Sequence, residues 1–302
     1  MLESLENALL LNLLKNVYLL SAVASVSFGV VGSFVVARRI GYLTGAVSHC
    51  AFGGVGFAIW LQKIVASGLL GSAALARLFV SEESAPEFCK TVASKIDPVF
   101  SAMIFAVLAA LLVDWIRRRA KEREETLLGA VWAVGMAIGL IFLERASGNN
   151  SSVSTYLFGD ILLVSSADVW RAAIIGAIIL AIVYLNFKKL EAVCFDEEFA
   201  LLRGVNVGRQ NRLLLALTAV AVVLLLRLVG MAMIVALLTL PAATAARFTK
   251  RLGSMIAAST AVCFVGSWLG IWLSSVLNCS TAPVIILVVA VFYATALLFK
   301  RR

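Results

Sequence analysis

Residues 172–205 read AAIIGAIILAIVYLNFKKLEAVCFDEEFALLRGV, and three kinds of segment follow one another within them. Residues 172–187 carry no charge, Lys188 and Lys189 break the run, and Asp196 to Gly204 then open on acids and close on glycine. A bilayer core about 30 Å thick takes roughly 20 apolar helical residues to cross, at about 1.5 Å of rise each. Apolar runs of that length, separated by short cationic breaks, recur along the whole chain. With 62% hydrophobic and only 14% charged residues, the composition is far outside the balance of a soluble domain. The reading is an all-α, polytopic membrane protein, a single transmembrane domain over residues 1–302.

Helices are expected at 13–37, 46–66, 99–116, 127–143, 168–187, 212–229, 230–247, 253–273 and 283–299. That makes nine crossings, with eight or ten left open by two weak divisions. One is Arg227 to Gly230, where two crossings share a tight turn. The other is 151–166, too short and polar for a span; since backbone amides cannot stay unpaired in lipid, it is read as re-entrant or external.

Lys and Arg favour inner loops. With the last residues inside, most of the 26 cations fall there: Arg38 and Arg39, the Arg117 to Arg123 group, Lys188, Lys189, Arg203, Arg209, Arg212, Arg247, Lys250, Arg251 and Lys300 to Arg302. The amino terminus is then outside. The net charge of +9 is thereby read as topology, and no nucleic-acid partner is expected, since that needs a clustered, solvated basic face. Glu3 and Glu6 precede the first cation, Lys15, so no cleaved signal peptide is expected. The five cysteines show no CxxC spacing; Cys89 and Cys279 both fall on the outer side, where pairing is open. The Ser67 to Pro98 segment is long and mixed, and is expected to hold a short amphipathic helix. The Arg117 to Glu125 run is read as a solvated face, with Asp114 paired to Arg117 and Arg118.

From Phe195 to Val205 the apolar positions recur three and four apart. Acids at Asp196, Glu197 and Glu198 suit the positive end of a helix dipole, and Gly204 suits the left-handed residue that closes one. This is a short inner amphipathic helix at about 195–205. It either lies on lipid headgroups or plugs into a cytoplasmic protein.

The Asp196 to Gly204 stretch resembles the coupling helix of the permease subunits of ABC importers for zinc, manganese or iron. Other blocks match in order: Gly32 to Val36 before Arg38 and Arg39; Ala46, Val47, Ser48 and His49 with Gly53 and Gly54; Glu125 to Gly129; Phe158 to Leu162; Val229 and Gly230; Pro241 to Ala245; Gly270 to Ser274; and Pro283 to Leu287. Coverage is about residues 15–299, with 67–98 as an insertion. The resemblance implies a subunit of the bacterial inner membrane. Its implied partners are cytoplasmic ATP-binding cassette subunits, an external solute-binding protein, a second permease copy (identical or paralogous) and membrane lipid. No cofactor is permanently bound; the cargo is a divalent metal, and ATP belongs to the partner subunits. No catalytic residue is expected, and the chain has no GxxxxGK[ST] phosphate loop. Coupling falls to Asp196, Glu197, Glu198, Phe199, Ala200 and Gly204, and gating to Gly230 and the Pro241 kink.

The metal path is where the chain departs from that family's pattern. An Asp usually stands four residues before the His, on one helix face; here the position is Gly45, leaving His49, the only histidine. Zinc generally takes three or four ligands, so either Cys50, Asp160 or a second copy's His49 completes the site, or the site is a weak transit one, since import needs release as well as capture. Losing the carboxylate lowers attraction for hard manganese relative to zinc, which tilts the reading to zinc. Gly135 with Gly139 and Gly266 with Gly270 are read as ordinary close helix packing, and Arg227 as a snorkelling cation. A secondary transporter would carry several coupled acids or an internal repeat within its spans, and an intramembrane protease a motif such as HExxH; the sequence offers neither clearly.

Overall fold

The computed structural model describes residues 2–66, 96–119, 124–147, 164–231 and 234–299. They form ten helices: α1 Leu2–Ala37, α2 Gly41–Ala66, α3 Pro98–Arg119, α4 Glu124–Ser147, α5 Ser166–Phe195, α6 Glu197–Leu202, α7 Val207–Val229, α8 Ile234–Phe248, α9 Leu252–Leu277 and α10 Thr281–Leu298. Among the described residues eight helices are long and apolar enough to span a membrane, and α8 is a shorter apolar helix. These nine correspond to the nine expected runs, and α6 is the short amphipathic helix. Expectations at 67–95, including Cys89 and the outer amphipathic helix, and at 148–163, including Asp160, lie outside the described residues, as do the side chains of Arg117, Arg118 and Arg227.

Two compact units divide the chain: Met1–Gly45 with Tyr156–Arg302, and Ala46–Thr155. In the larger unit α1 is central, packed by α9, α5, α8 and α7, while α10 covers α9 and α8. Small residues make the close approaches. A Cβ on Gly32 would strike the Leu238 carbonyl of α8, and one on Gly270 would sit 2.6 Å from the Ile285 Cα of α10. Lipid supplies little hydrophobic drive between helices, so this interlocking is the main source of association. Some buried hydroxyls are satisfied within their own helices, Ser33 donating to the Gly29 carbonyl (2.6 Å) and Thr218 to that of Leu214 (2.8 Å), while those of Ser27 and Ser259 are buried without a partner.

In the smaller unit α2 is gripped by α3 and α4. Ser101 Oγ donates to the Gly54 carbonyl at 2.8 Å, and Gly56 faces the Gly139 main chain. One turn further along, Phe57 meets Trp60, Phe105 and Phe142 with ring centroids 5.4–5.9 Å apart. The glycine pair on α4 is thus a packing feature: Gly135 lies under Cys50 and Gly139 under Phe52. The outward sides of the spans carry large apolar residues, among them Trp170, Tyr184, Leu185 and Val291, which is what hydrocarbon requires.

One boundary differs in a way that matters. The run expected to stop at 187 continues as α5 to Phe195. Lys188 and Lys189 mark where the helix leaves lipid, and nothing breaks it there, since no Gly or Pro follows before Asp196. At 30 residues α5 is roughly 45 Å long, more than the about 30 Å of a bilayer core, and α6 follows directly on its end. The division at Arg227 to Gly230 falls at Gly230, whose φ of 76° ends α7. Helix α8 continues through buried Pro241.

Candidate functional site

The short helix α6 is built by its caps. Asp196 ends α5 and begins α6 in extended backbone (φ −151°, ψ 109°), and its Oδ1 accepts from the amides of Glu198 and Phe199, both at 3.0 Å. At the other end Gly204 takes φ +74°; its amide donates to the Leu201 carbonyl (2.9 Å) and that of Val205 to the Ala200 carbonyl (3.0 Å). That pair of bonds closes a helix in the left-handed glycine manner. The six-residue helix is too short to hold itself together by propagation, so these caps carry it.

Only Ala200 of α6 is buried, packed with Val193 of α5, Val207 of α7 and the partly buried Ala192 and Val205. Everything larger points away: Phe199 is 46% exposed, Leu201 59% and Leu202 88%. Arg203 lies over the Phe199 ring, 4.7 Å from its centroid. The result is a rigid knob with an apolar outer face and an acidic flank at Glu197 and Glu198.

Arg38, just past α1, ties this knob to the bundle. Its Nη1 donates to the Val193 carbonyl (2.9 Å); its Nη2 donates to Glu197 Oε1 (2.6 Å) and to Asn211 Oδ1 (2.8 Å). One planar guanidinium therefore joins the ends of α1, α5, α6 and α7, a geometry that lysine could not reproduce. The sequence showed Arg38 only as a topology cation within a matched block; its partners lie more than 150 residues away along the chain.

In the smaller unit His49 is 7% exposed and stacks on Trp132 of α4, ring centroids 4.7 Å apart at 33°. Its Nδ1 is buried without a hydrogen-bond partner. Cys50 turns elsewhere, its Sγ donating to the Val131 carbonyl at 3.7 Å. Among the described residues no group of three or more His, Cys, Asp or Glu could hold a metal ion.

A family model described as the ABC 3 transport family matches residues 10–84 and 85–300. The chain belongs to that family. The probable metal transport system membrane protein of Chlamydia trachomatis serovar D is 31% identical to this ABC 3 chain over 278 residues, 92% of it and 86% of the relative. The manganese transport system membrane protein MntC of Listeria monocytogenes serovar 1/2a is 27% identical over 300 residues, 99% and 94%. Among solved structures, PsaBC from Streptococcus pneumoniae in complex with Fab has a TM-score of 0.76 at 27% identity, covering 94% of this chain and 90% of that one. The ABC 3 chain is thus a membrane-spanning transport subunit.

Removing the amino-terminal cap of its knob costs about 1 kcal/mol. Asp196→Ala should therefore speed hydrogen exchange of the 198–202 amides about five-fold while leaving those of α9 unchanged, measured by mass spectrometry on the purified protein.

Proposed function

We propose that this chain is the permease subunit of an ATP-driven importer of a divalent metal ion, with α6 as the handle on which separate cytoplasmic ATPase subunits act. The observation that carries the proposal is the knob itself: a doubly capped helix that buries one alanine and turns Phe199, Leu201 and Leu202 outward. A helix merely resting on lipid needs no such rigid mount, whereas a part that must transmit a push does. Two permease copies form the pathway, an external binding protein delivers the ion, and nucleotide-driven closure of the ATPases shifts the pair between outward and inward openings. The orientation follows the cations, with α6 and the carboxyl terminus in the cytoplasm of a bacterial inner membrane.

His49 is the metal contact of the path, its buried Nδ1 free of other engagement. A single imidazole gives weak, exchangeable binding, which suits passage, since an imported ion must also be released. Asp160 and a second His49 at the dimer axis are the further donors we assign. Two arguments about the ion pull apart: Gly45 in place of a carboxylate favours zinc, while a relative of near-full coverage carries manganese in its name.

Burying a Phe or Leu is worth roughly 1.5–3 kcal/mol, so Phe199→Ser with Leu202→Ser should weaken ATPase association by roughly a hundred-fold or more. Co-purification of the ATPase would be lost while the permease still inserts; an undiminished complex would remove α6 from the contact. His49→Ala should abolish metal accumulation with ATPase assembly intact. Elemental analysis of cells limited in turn for zinc and manganese reads both the loss and the ion, and unchanged uptake of both would take His49 out of the path.

A further inference from the structure

At the same end of the larger unit as α6, a cleft of about 600 Å³ opens between the ends of α1, α5 and α8 and the start of α9. Its lining carries four cations, Arg39, Arg247, Lys250 and Arg251, together with apolar Val36, Phe195, Phe248 and Met255, and no acid among the described residues lines it. Arg247 is anchored through Nη2 to the Leu297 carbonyl at 3.4 Å, but its Nε is buried with no hydrogen-bond partner. Four lining cations without a counter-charge among the described residues, three of them exposed and Arg247 with a buried, unsatisfied N–H, form an incomplete site, because a buried donor normally finds an acceptor.

Arg39 adds an independent observation. Its φ is +58°, and its amide donates to the Val36 carbonyl (3.1 Å) while that of Ile40 donates to the Val35 carbonyl (3.0 Å). This is the closing position of α1, which glycine ordinarily takes. An arginine held there strains the backbone, and such strain marks a side chain with a use. That side chain lines the cleft.

We propose that the cleft is a phosphate-binding site, taking a phosphodiester or phosphate anion at the membrane surface. The chemistry that fits is a compact, multiply accepting oxyanion facing arginine forks, with an apolar neighbour over Phe195 and Phe248. Basic pockets between the cytoplasmic ends of transmembrane helices bind anionic headgroups in this way. Phospholipid and free phosphate share that oxyanion and differ in the acyl chains.

The full-length protein, purified in detergent and stripped of lipid, is followed by thermal unfolding at matched ionic strength. The ligands are dioctanoyl phosphatidylglycerol, dioctanoyl phosphatidylcholine and sodium phosphate. Saturable stabilisation by phosphatidylglycerol alone supports the site and assigns a lipid headgroup; equal stabilisation by sodium phosphate supports it and assigns free phosphate. Arg39→Gly relieves the backbone strain, so the ligand-free variant should unfold at an equal or higher temperature. Its half-saturating anion concentration should rise about five-fold. Arg247→Gln with Lys250→Gln should raise it further. Equal stabilisation by phosphatidylcholine, no response to either anion, or an unchanged half-saturation in both variants would overturn the proposal.

Discussion

A single guanidinium ties the short helix α6 to the bundle. Arg38 reaches from the end of α1 to a main-chain carbonyl of α5, a carboxylate of α6 and an amide of α7. Because its Glu197 partner is half exposed, the ion pair alone is worth little, at most about 1 kcal/mol. The fork matters through geometry: Asp196 and Gly204 cap the helix, Ala200 is buried between α5 and α7, and Arg38 adds a third tie between α6 and the bundle. On the proposed reading, a push on Phe199 or Leu202 would be delivered to α1, the helix that α5, α7, α8 and α9 all pack against. Coupling by a hinge or a floppy loop would dissipate that displacement.

The remainder of the fold answers the problem of assembling helices in lipid. Glycines bring backbones together, several hydroxyls bond to carbonyls of their own helices, and large apolar residues are left for the acyl chains. Such a bundle can interlock firmly and still slide, since few of its described interhelical contacts are strong polar bonds. Buried His49, stacked on Trp132, offers a single imidazole, which on the proposed reading suits a conduit, where a deep multidentate cage would trap the ion.

Much of this was legible in the sequence, for stated reasons. Spans declare themselves by length and apolarity, and the order of acid, apolar residues and glycine at Asp196 to Gly204 encodes a capped helix directly, because each cap is a local property of its own residue. The error at the end of α5 has an equally physical origin. Lys188 and Lys189 report where lipid stops, but helical hydrogen bonding continues past that plane until a residue such as Asp196 ends it. Contacts made across the fold left no local mark: nothing near Arg38 announces Val193, Glu197 and Asn211, and nothing near His49 announces Trp132. Gly230 and Pro241 showed themselves as interruptions, and the structure makes one a helix end and the other a buried position within α8.

The central claim is that this permease has no drive of its own and is moved through α6. Its most direct test is metal flux in sealed proteoliposomes containing the permease, with and without its ATPase subunits and ATP. Uptake should appear only when permease, ATPase and hydrolysable ATP are all present. Steady ion flux through the permease alone, down its gradient or coupled to a proton gradient, would contradict the account.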